Sequence, residues 1–392
     1  MKTPLAIIIL AVVAVSSSLA EDNDNWPQFG GGPDHNNFRK TKNTIRCPKV
    51  LWHMEGPHGQ PTIWEGVLYA GGDSLYCIDA KTGDTTAKWP EGGSMKVAAA
   101  PVLDKDRVIA RNNNGDVTAF THKLEDELWT YSPDSAGGNF AFPAVLDEGM
   151  YVFSHGAKVL AVDAAKGEKT WEFDVENRAS VDMAPAAANG KVFFGTASGS
   201  FFALDIKTGE QVWKYSGEAT FGWTDPVVAF DMVFVGDRGI KGGRRGAMNA
   251  FQAKTGTQVW CQDFGATGLS TPGIMPGYVF AGFARVVACF DAKDGKIRQD
   301  TYFKGDSNPF GSPTLINDTM YCGNLDGCLY AYDAKTAKMK WAFRVGTGED
   351  AQAQDFVYWK GMIFLSSTKG LFAIGQDPEK KSAPAGFILE NK

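Results

Sequence analysis

Several features that would assign a chemistry directly are missing from this sequence. It has no two adjacent cysteines, no GxSxG nucleophile turn and no Walker-type phosphate loop. Its five histidines are scattered, and no pair has the spacing of a metal-binding helix or hairpin. We therefore expect no metal site and no catalytic residue identifiable from a local motif, and only a Ser/His/Asp set assembled by the fold stays open.

An excess of basic residues is also missing. The chain carries 39 Lys and Arg against 45 Asp and Glu, a net charge of −6. Binding to a phosphate backbone relies on a concentrated basic surface, so nucleic acid is not an expected partner. Hydrophobic residues make up 44% and charged residues 21%, which is typical of a globular protein with a large core.

Long apolar runs are absent except near the first residue. Lys2 precedes an apolar run from Leu5 to Val15, which is shorter than the roughly twenty residues that span a bilayer. Ser18 and Ala20 occupy the positions expected before a cleavage site, so residues 1–20 are predicted to be a secretory signal peptide. No cysteine follows the run. We expect a periplasmic or extracellular protein with neither a lipid anchor nor a transmembrane segment.

What the sequence does contain is a repeat. Lines such as VLAVDAAKGEKTW from Val159 and FFALDIKTGEQVW from Phe201 occur eight times, counting a weak copy at Val117 and a truncated one at Gly370. The period of about 41 residues is the size of one four-stranded propeller blade. It is measured between the residues that end the copies, Trp52, Trp89, Trp129, Trp171, Trp213, Trp260, Gln299 and Trp341.

The fourth copy indicates how a unit folds. Asn189 and Gly190 suit a two-residue hairpin turn between strands, and Gly209 suits a tight turn with positive φ before an outer strand. The slot of Ala203 holds only Ala or Cys in every copy, and the recurring Asp at position 205 is predicted to bond its own turn. The sequence predicts an all-β, eight-bladed propeller of four-stranded antiparallel blades.

The last copy indicates how the ring closes. After Gly370 the chain reaches prolines and charges, which cannot form an outer core strand. The segment KVLWHM from Lys49 has that outer-strand pattern but no inner strands before it. We expect it to complete the eighth blade. The domains are then a leader at 1–20, an N-terminal extension at 21–44, one propeller at 45–376 and a tail at 377–392.

The six cysteines form no pattern of a stapled scaffold or zinc site. Cys322 and Cys328 flank a short turn and are the best candidates for a disulfide across a hairpin. Cys77 and Cys289 occupy the small slot of the repeat and are predicted to be buried thiols.

The motif AxDxxTGxxxW, intact from Ala203 to Trp213, resembles the tryptophan-docking repeat of the pyrroloquinoline quinone (PQQ) propeller superfamily. The segment NWPQFGGGP from Asn25 resembles the start of many secreted members. The resemblance covers residues 45–376 and implies the fold, because the motif residues are structural. One branch of the superfamily, the quinoprotein alcohol dehydrogenases, holds PQQ and calcium; another, typified by BamB, is a protein scaffold.

The chain is more similar to the scaffold branch than to the full-length dehydrogenases. Those enzymes are longer, place a vicinal disulfide against the quinone and carry a Glu/Asn/Asp calcium set with a separate Asp base. This chain has no adjacent cysteines, and the blades use nearly all of it after the predicted leader. The resemblance therefore implies no cofactor, with PQQ and calcium only under the enzyme alternative. The missing lipid-anchor cysteine departs from the scaffold branch as well.

In a propeller, one face carries the loops that lead into the inner strands around the central channel, and ligands usually bind there. A proline introduces seven inner strands, and Asp355 is assigned to the eighth slot. The preceding residues either line the mouth as a ligand site or simply fill it. They are Phe140, Phe142, Asp182, Trp223, Asp225, Ser270, Phe310, Ser312 and Gln352, with Asp350 nearby.

The fifth copy is the longest and inserts a basic, glycine-rich turn, GDRGIKGGRRGAM. It either docks a carboxylate, a sulfated sugar or an acidic partner, or is a solvated turn. Its cations are Arg238, Lys241, Arg244 and Arg245, and Arg285 lies in the matching turn of the next blade.

Two functions follow from these features. The first is a monomeric, non-catalytic scaffold that presents the channel face and the basic turn to a protein or glycan. The alternative is an enzyme of the channel site, either a reduced PQQ-dependent dehydrogenase or a hydrolase or lyase that uses the channel carboxylates.

Overall fold

The computed structural model describes residues 25–56, 59–93, 95–97, 99–134, 142–240, 243, 245–263, 265, 270–283, 286–298, 303–304, 311–345, 353–383 and 388–390. The predicted leader lies outside these residues, and so does Gln299. The site candidates outside them are Phe140, Lys241, Arg244, Arg285, Phe310, Asp350 and Gln352. No helix within the described ranges is long and apolar enough to cross a membrane.

Eight antiparallel sheets of four strands form the blades, which confirms the predicted propeller. Blades 1 to 3 consist of β3 Thr62–Trp64, β4 Val67–Gly71, β5 Leu75–Asp79 and β6 Thr85–Trp89; β7 Val102–Leu103, β8 Val108–Arg111, β9 Val117–Phe120 and β10 Glu127–Tyr131; and β11 Val145–Asp147, β12 Met150–His155, β13 Lys158–Asp163 and β14 Lys169–Asp174.

Blades 4 to 6 repeat this order of inner to outer strand. They consist of β15 Ala186–Ala188, β16 Lys191–Gly195, β17 Ser200–Asp205 and β18 Gln211–Ser216; β19 Val227–Ala229, β20 Met232–Gly236, β21 Ala247–Gln252 and β22 Gln258–Asp263; and β23 Gly273–Met275, β24 Tyr278–Phe283, β25 Val286–Asp291 and β26 Phe303–Lys304. The only helical segments in the described part of the chain are two single 3-10 turns, Phe29–Gly31 and Glu176–Arg178.

Blades 7 and 8 recruit strands from the two ends of the chain. Blade 7 has β27 Thr314–Ile316, β28 Thr319–Gly323, β29 Cys328–Asp333 and β30 Met339–Arg344, extended by β1 Phe38–Arg39 on its inner edge and β34 Ile388–Glu390 on its outer edge. Blade 8 has β31 Ala353–Trp359, β32 Met362–Ser367 and β33 Gly370–Gln376, and its outer strand is β2 Pro48–Met54. The predicted closure of the last blade by an N-terminal strand is confirmed.

The turns follow from local chemistry. Asn189 and Gly190 have φ of 52° and 70°, as a two-residue hairpin requires. The carboxylate of Asp205 accepts backbone N–H bonds from Lys207 and Thr208, both at 2.9 Å, so the recurring aspartate bonds its own turn as predicted. Because these carboxylates are used in turns, they do not contribute to a reactive site.

Outer-strand tryptophans join each blade to the next. The indole Nε1 of Trp171 donates to the carbonyl of Ile206 at 2.8 Å, and that of Trp213 donates to Ala253 at 3.0 Å. The ring lies on the turn glycine of the following blade, where a Cβ on Gly209 would approach Trp171 to 2.7 Å. The same indole bond is made by Trp52, Trp129 and Trp260.

Trp89 is an exception that the sequence did not reveal. It pairs with Leu75, whereas Ala87 lies opposite the small slot at Cys77, so the assignment of Trp89 as the docking tryptophan of blade 1 is wrong. Its ring packs on Phe120 instead, with centroids 4.7 Å apart. The following blade has Glu125 at the position of the turn glycine. Where no indole lies on the turn, glycine is not required.

The expected disulfide does not form either. None of the six cysteines, all of which lie in the described ranges, forms a disulfide, and Cys322 lies opposite Tyr330 in its hairpin. The carbonyl of Cys328 accepts the backbone N–H of Asn324, which lies two residues after Cys322. The two thiols are therefore diagonal across the hairpin rather than opposite each other. Burial raises the pKa of both to about 12. Cys77 and Cys289 are buried, as predicted.

Residues 25–39, here called the N-terminal plug, run along the inner strands at the central channel. Ile45 and Cys47 lie outside the channel, where they accept bonds from the outer-strand Trp341 and from Asp377. Six inner strands donate a backbone N–H to it from the same register position. These bonds join Ile63 to Trp26 O (2.9 Å), Leu103 to Pro27 O (2.7 Å), Leu146 to Gln28 Oε1 (2.8 Å), Ala187 to Pro33 O (2.7 Å), Val228 to Asp34 O (2.8 Å) and Leu315 to Asn37 O (3.1 Å). The plug thereby pairs inner edges that a propeller would otherwise leave open.

The plug is held in shape by two buried basic side chains. The Arg39 guanidinium donates to the carbonyls of Gly31 (2.6 Å) and Phe38 (2.9 Å) and lies 4.5 Å from the Trp26 ring centre. His35 is fully buried and its Nδ1 bonds the carbonyl of Pro226 at 3.0 Å. Because a carbonyl only accepts, that nitrogen carries a proton. Burial lowers the pKa of His35 to about 4, so the ring is neutral near pH 7.

Replacing Gly209 with Ala should destabilise the protein. The new Cβ meets the Trp171 ring, and the alanine backbone must adopt a φ of 72°. We therefore expect a loss of about 2 kcal/mol or more in the free energy of unfolding. Ala337→Gly is the matched control, because Ala337 already has a φ of 58° at the equivalent turn position. Urea unfolding midpoints measure both; equal effects would contradict the docking role of the glycine.

Acidification should weaken the plug through His35. Burial lowers the pKa of His35 to about 4, below its usual 6.5, so the unfolded chain binds the proton more readily. The stabilisation is complete above pH 6.5 and is lost as the pH falls towards 4, by about 3 kcal/mol. Urea titrations of the wild type and His35→Gln across this range should show that extra slope only in the wild type. Parallel pH profiles of the free energy of unfolding in the two proteins would contradict this role of His35.

Candidate functional site

Strand pairing defines one residue per blade at the channel mouth. In every blade, the small-slot residue of the third strand pairs with a residue of the second strand, which in turn pairs with one residue of the inner strand. The residue two positions before that inner-strand residue lies at the mouth of the channel. These mouth-ring residues are Gln60, Ala100, Pro143, Ala184, Asp225, Thr271, Ser312 and Asp355. They lie about 10 Å above the plug, since three residues of strand separate the two levels. The plug is therefore the floor of the mouth.

Asp355 was assigned to the proline slot, and the register shows that this is wrong. Val357 lies opposite Phe364, so Phe356 takes the proline position and Asp355 belongs to the mouth ring with Asp225. Pairing is regular from Phe356 to Trp359, and a bulge separates Phe356 from the pair formed by Ala353. The mouth ring thus holds two carboxylates, in blades 5 and 8.

Hydrogen bonds between neighbouring blades hold these carboxylates in place. Asp225 accepts the backbone N–H of Ala184 at 2.6 Å and the hydroxyl of Thr271 at 2.9 Å. Asp355 accepts the backbone N–H of Ser312 at 3.0 Å. Each acid therefore links its blade to the one before it, and Asp225 also links to the one after.

The pKa values of the two acids are raised above the usual range. Burial raises the pKa of Asp225 to about 6, the charge of Asp355 adds to the rise, and the bonds from Ala184 and Thr271 oppose it. Burial likewise raises the pKa of Asp355. A carboxyl group that titrates near pH 6 can accept or donate a proton close to neutrality.

Trp223 forms an exposed platform beside Asp225. Its side chain is 63% exposed and its φ is 67°, an unusual conformation for a bulky residue. The backbone N–H of Trp223 bonds the carbonyl of Asp182 at 2.7 Å, and Ser180 Oγ donates to the Asp182 carboxylate at 2.9 Å. The Arg238 guanidinium lies 5.6 Å from the Trp223 ring centre. An aromatic face next to a cation suits a planar anion.

The basic turn is anchored at its base by a buried acid. Asp237 is 2% exposed and accepts N–H bonds from Gly239 (2.9 Å), Ala247 (3.1 Å) and the Asn249 amide (2.8 Å). Arg238 and Arg245 are exposed on this turn. Of the predicted site residues, the structure brings Asp182, Trp223, Asp225 and Arg238 together; it does not describe Phe140, Lys241, Arg244, Arg285 or Asp350.

Sequence reasoning missed two further residues near the mouth. Arg111 and His155 are each 3% exposed, and Arg111 Nη2 lies 3.3 Å from His155 Nδ1. Arg111 stands at a position where the other blades have Gly or Ser. Comparing the copies of the repeat would have revealed this departure. Among the described residues no group of three His, Cys, Asp or Glu side chains is arranged to hold a metal ion.

Comparison with known proteins gives the family and the fold. The family model described as outer membrane protein assembly factor BamB matches residues 48–141, 125–246 and 244–361. The dehydrogenase subunit of the quinone alcohol dehydrogenase of Gluconobacter oxydans (strain 621H) is 34% identical over 34% of this chain and 20% of its own length. A europium-containing methanol dehydrogenase has a TM-score of 0.75 at 11% identity, covering 90% of this chain and 98% of that one.

A second sequence similarity covers more of the chain than the one to the dehydrogenase subunit does. The tetrathionate hydrolase of Acidithiobacillus ferrooxidans is 22% identical over 80% of this chain and 63% of its own length. This chain therefore matches about a fifth of the first dehydrogenase and less than two thirds of the hydrolase. These relatives are enzymes. They contradict the prediction of a non-catalytic scaffold and the prediction that no cofactor is involved, which rested on missing dehydrogenase motifs.

Proposed function

The chain belongs to the family described as outer membrane protein assembly factor BamB, whose PQQ-type repeats build its blades, and we propose that its channel mouth is an enzyme active site of the quinoprotein type. The observation that carries the proposal is the pairing of the exposed Trp223 platform with Asp225, a mostly buried acid with a pKa of about 6. A scaffold would have no need of either feature, because both oppose stability.

The organic cofactor fits this site. PQQ is a planar, carboxylated quinone, so it requires an aromatic surface for its ring and cations for its carboxylates. Trp223 offers the surface, and Arg238, above that ring, offers a guanidinium. The bond from Trp223 N–H to Asp182 O keeps the platform in one orientation. When bound, the quinone would accept two electrons from an alcohol.

The metal ion does not fit among the residues described. No three metal-ligating side chains converge within them, and the two mouth-ring acids are each held by a bond from a neighbouring blade. We therefore derive no role for a metal ion. The chain's own residues must supply the proton chemistry.

Asp225 is the proposed general base. Its oxygens already accept bonds from Ala184 N–H and Thr271 Oγ1, and each oxygen retains a lone pair for a substrate hydroxyl. These bonds stabilise the carboxylate, while burial holds its pKa near 6, so it is mostly ionised at pH 7 but still basic. The plug closes the channel below, so substrate and water enter from the mouth alone.

We also propose that the leader at residues 1–20 exports the chain and that its protein partner is the redox protein that reoxidises the cofactor. The family description, an outer membrane assembly factor, supports a protein partner. A glycan partner and a monomeric state stay predictions.

Titration with PQQ, with and without calcium or a lanthanide, tests the proposal. We expect stoichiometric binding that quenches tryptophan fluorescence, and dye-linked alcohol oxidation. Trp223→Ala should weaken binding about tenfold, because a stacked ring contributes about 1 kcal/mol or more. Asp225→Asn should keep binding and lower kcat about a hundredfold, and the wild-type rate should rise with pH around 6.

Phe230→Ala is the matched control. Phe230 is also an exposed aromatic residue with positive φ, 46% exposed at 54°, but it lies in the hairpin turn after β19, away from the mouth. It should leave binding and rate unchanged. Absence of PQQ binding, or equal effects of Trp223→Ala and Phe230→Ala on binding, would overturn the quinoprotein proposal.

A hydrolase at the same site is the second candidate. It is favoured by the similarity to tetrathionate hydrolase over 80% of the chain. Asp225 would then activate water, and Arg238 would attract an anionic sulfur compound. Tetrathionate consumption that depends on Asp225 but not on PQQ would select this function over the first.

A further inference from the structure

Arg111 occupies a position that the fold otherwise reserves for very small residues. It is the last residue of β8, opposite Val117, and the equivalent residues of the other blades are Gly71, Ser154, Gly195, Gly236, Gly282, Gly323 and Ser366. A Cβ at Gly71 would lie 2.4 Å from Val97 O, and one at Gly195 would lie 2.4 Å from Phe221 Cβ. At Gly71 and Gly195 the position therefore faces the segment that leads into the next blade, at the mouth end of the strands. Residues 135–141 of the corresponding segment after blade 2 lie outside the described residues.

The Arg111 guanidinium is buried without a negative partner among the described residues. The residue is 3% exposed, and its one polar contact joins Nη2 to His155 Nδ1 at 3.3 Å. Atoms Nε and Nη1 are buried and have no hydrogen-bond partner. The guanidinium lies 4.7 Å from the Phe153 ring centre. A buried cation with two unused donors is the feature that needs explaining.

Its surroundings do not neutralise the charge. A guanidinium is protonated under all ordinary conditions, although burial lowers the pKa of Arg111. Leaving a buried charge unpaired costs several times what one cation–π contact with Phe153 returns. A bound anion would supply both the charge and the acceptor atoms.

His155 is arranged to support such an anion. Its Nδ1 faces a donor, Arg111 Nη2, so Nδ1 accepts and the proton is on Nε2. Gly115, with φ of 97°, closes over the ring: a Cβ there would come within 2.7 Å of His155 Cε1. The imidazole is thus held neutral and in one orientation, and the positive charge stays on Arg111.

We infer that Arg111, positioned by His155 and Phe153, forms an internal site for one small monovalent anion, a halide or a carboxylate, between blades 2 and 3. The site is separate from Trp223 and Asp225 in blade 5, so it stands whether or not the proposed function is right. The anion completes the packing of this pair of blades, and its loss loosens their mouth end.

Anion-dependent stability tests the inference. At constant ionic strength, gluconate is replaced by chloride in one series and by formate in another, and the melting temperature of the full chain is measured. The wild type should gain about 2 °C for each tenfold rise in anion concentration above the dissociation constant. The series with the lower half-saturation identifies the anion. Arg111→Met should show no such dependence in either series.

Arg107→Met is the matched control, because Arg107 lies near the start of the same strand but is paired with Asp104 at 3.2 Å. It should respond to anions as the wild type does. Line broadening of ³⁵Cl in the wild type, lost in Arg111→Lys or Arg111→Met, provides a readout that does not depend on stability. Equal anion responses in the wild type and Arg111→Met, or chloride broadening that survives the substitution of Arg111, would overturn the inference.

Discussion

The antiparallel pairing of β2 with β33 is the contact on which the rest of the structure depends. A ring of blades has no intrinsic end, and the eighth blade has only three strands of its own. Supplying the fourth from the other end of the chain brings residues 25–39 to the channel, where they bond to six inner strands. The same N-terminal segment therefore closes the ring and fills the channel below the mouth.

That geometry explains why the candidate site lies where it does. The repeat makes the blades nearly equivalent, so a site for one ligand must come from places where they differ. Asp225 and Asp355 break the ring of small or neutral mouth residues, Trp223 and Arg238 come from the long fifth unit, and Arg111 replaces a glycine or serine. Asp225, Asp355 and Arg111 are buried polar groups and Trp223 has a strained backbone, features that folding alone would not favour.

The fold was predictable because its signals are local and repeated. The 41-residue period, the hairpin turn at Asn189 and the turn aspartates each follow from short-range chemistry, and eight copies reinforce one another. Errors arose where register matters: Trp89 and Asp355 were each misassigned because a shift of one or two residues cannot be detected from spacing when loops vary in length. The scaffold interpretation failed differently, since it inferred inactivity from motifs that were absent.

The sequence by itself determined the blade, the number of blades and the strand that closes them, because periodic patterning and turn residues act within about forty positions along the chain. Only the tertiary structure decided which side chains meet. Asp225 and Asp355 are 130 positions apart, and Arg111 and His155 are 44 apart. Their burial, their bonds across blades and the raised pKa of Asp225 come from ring closure, which no local pattern encodes.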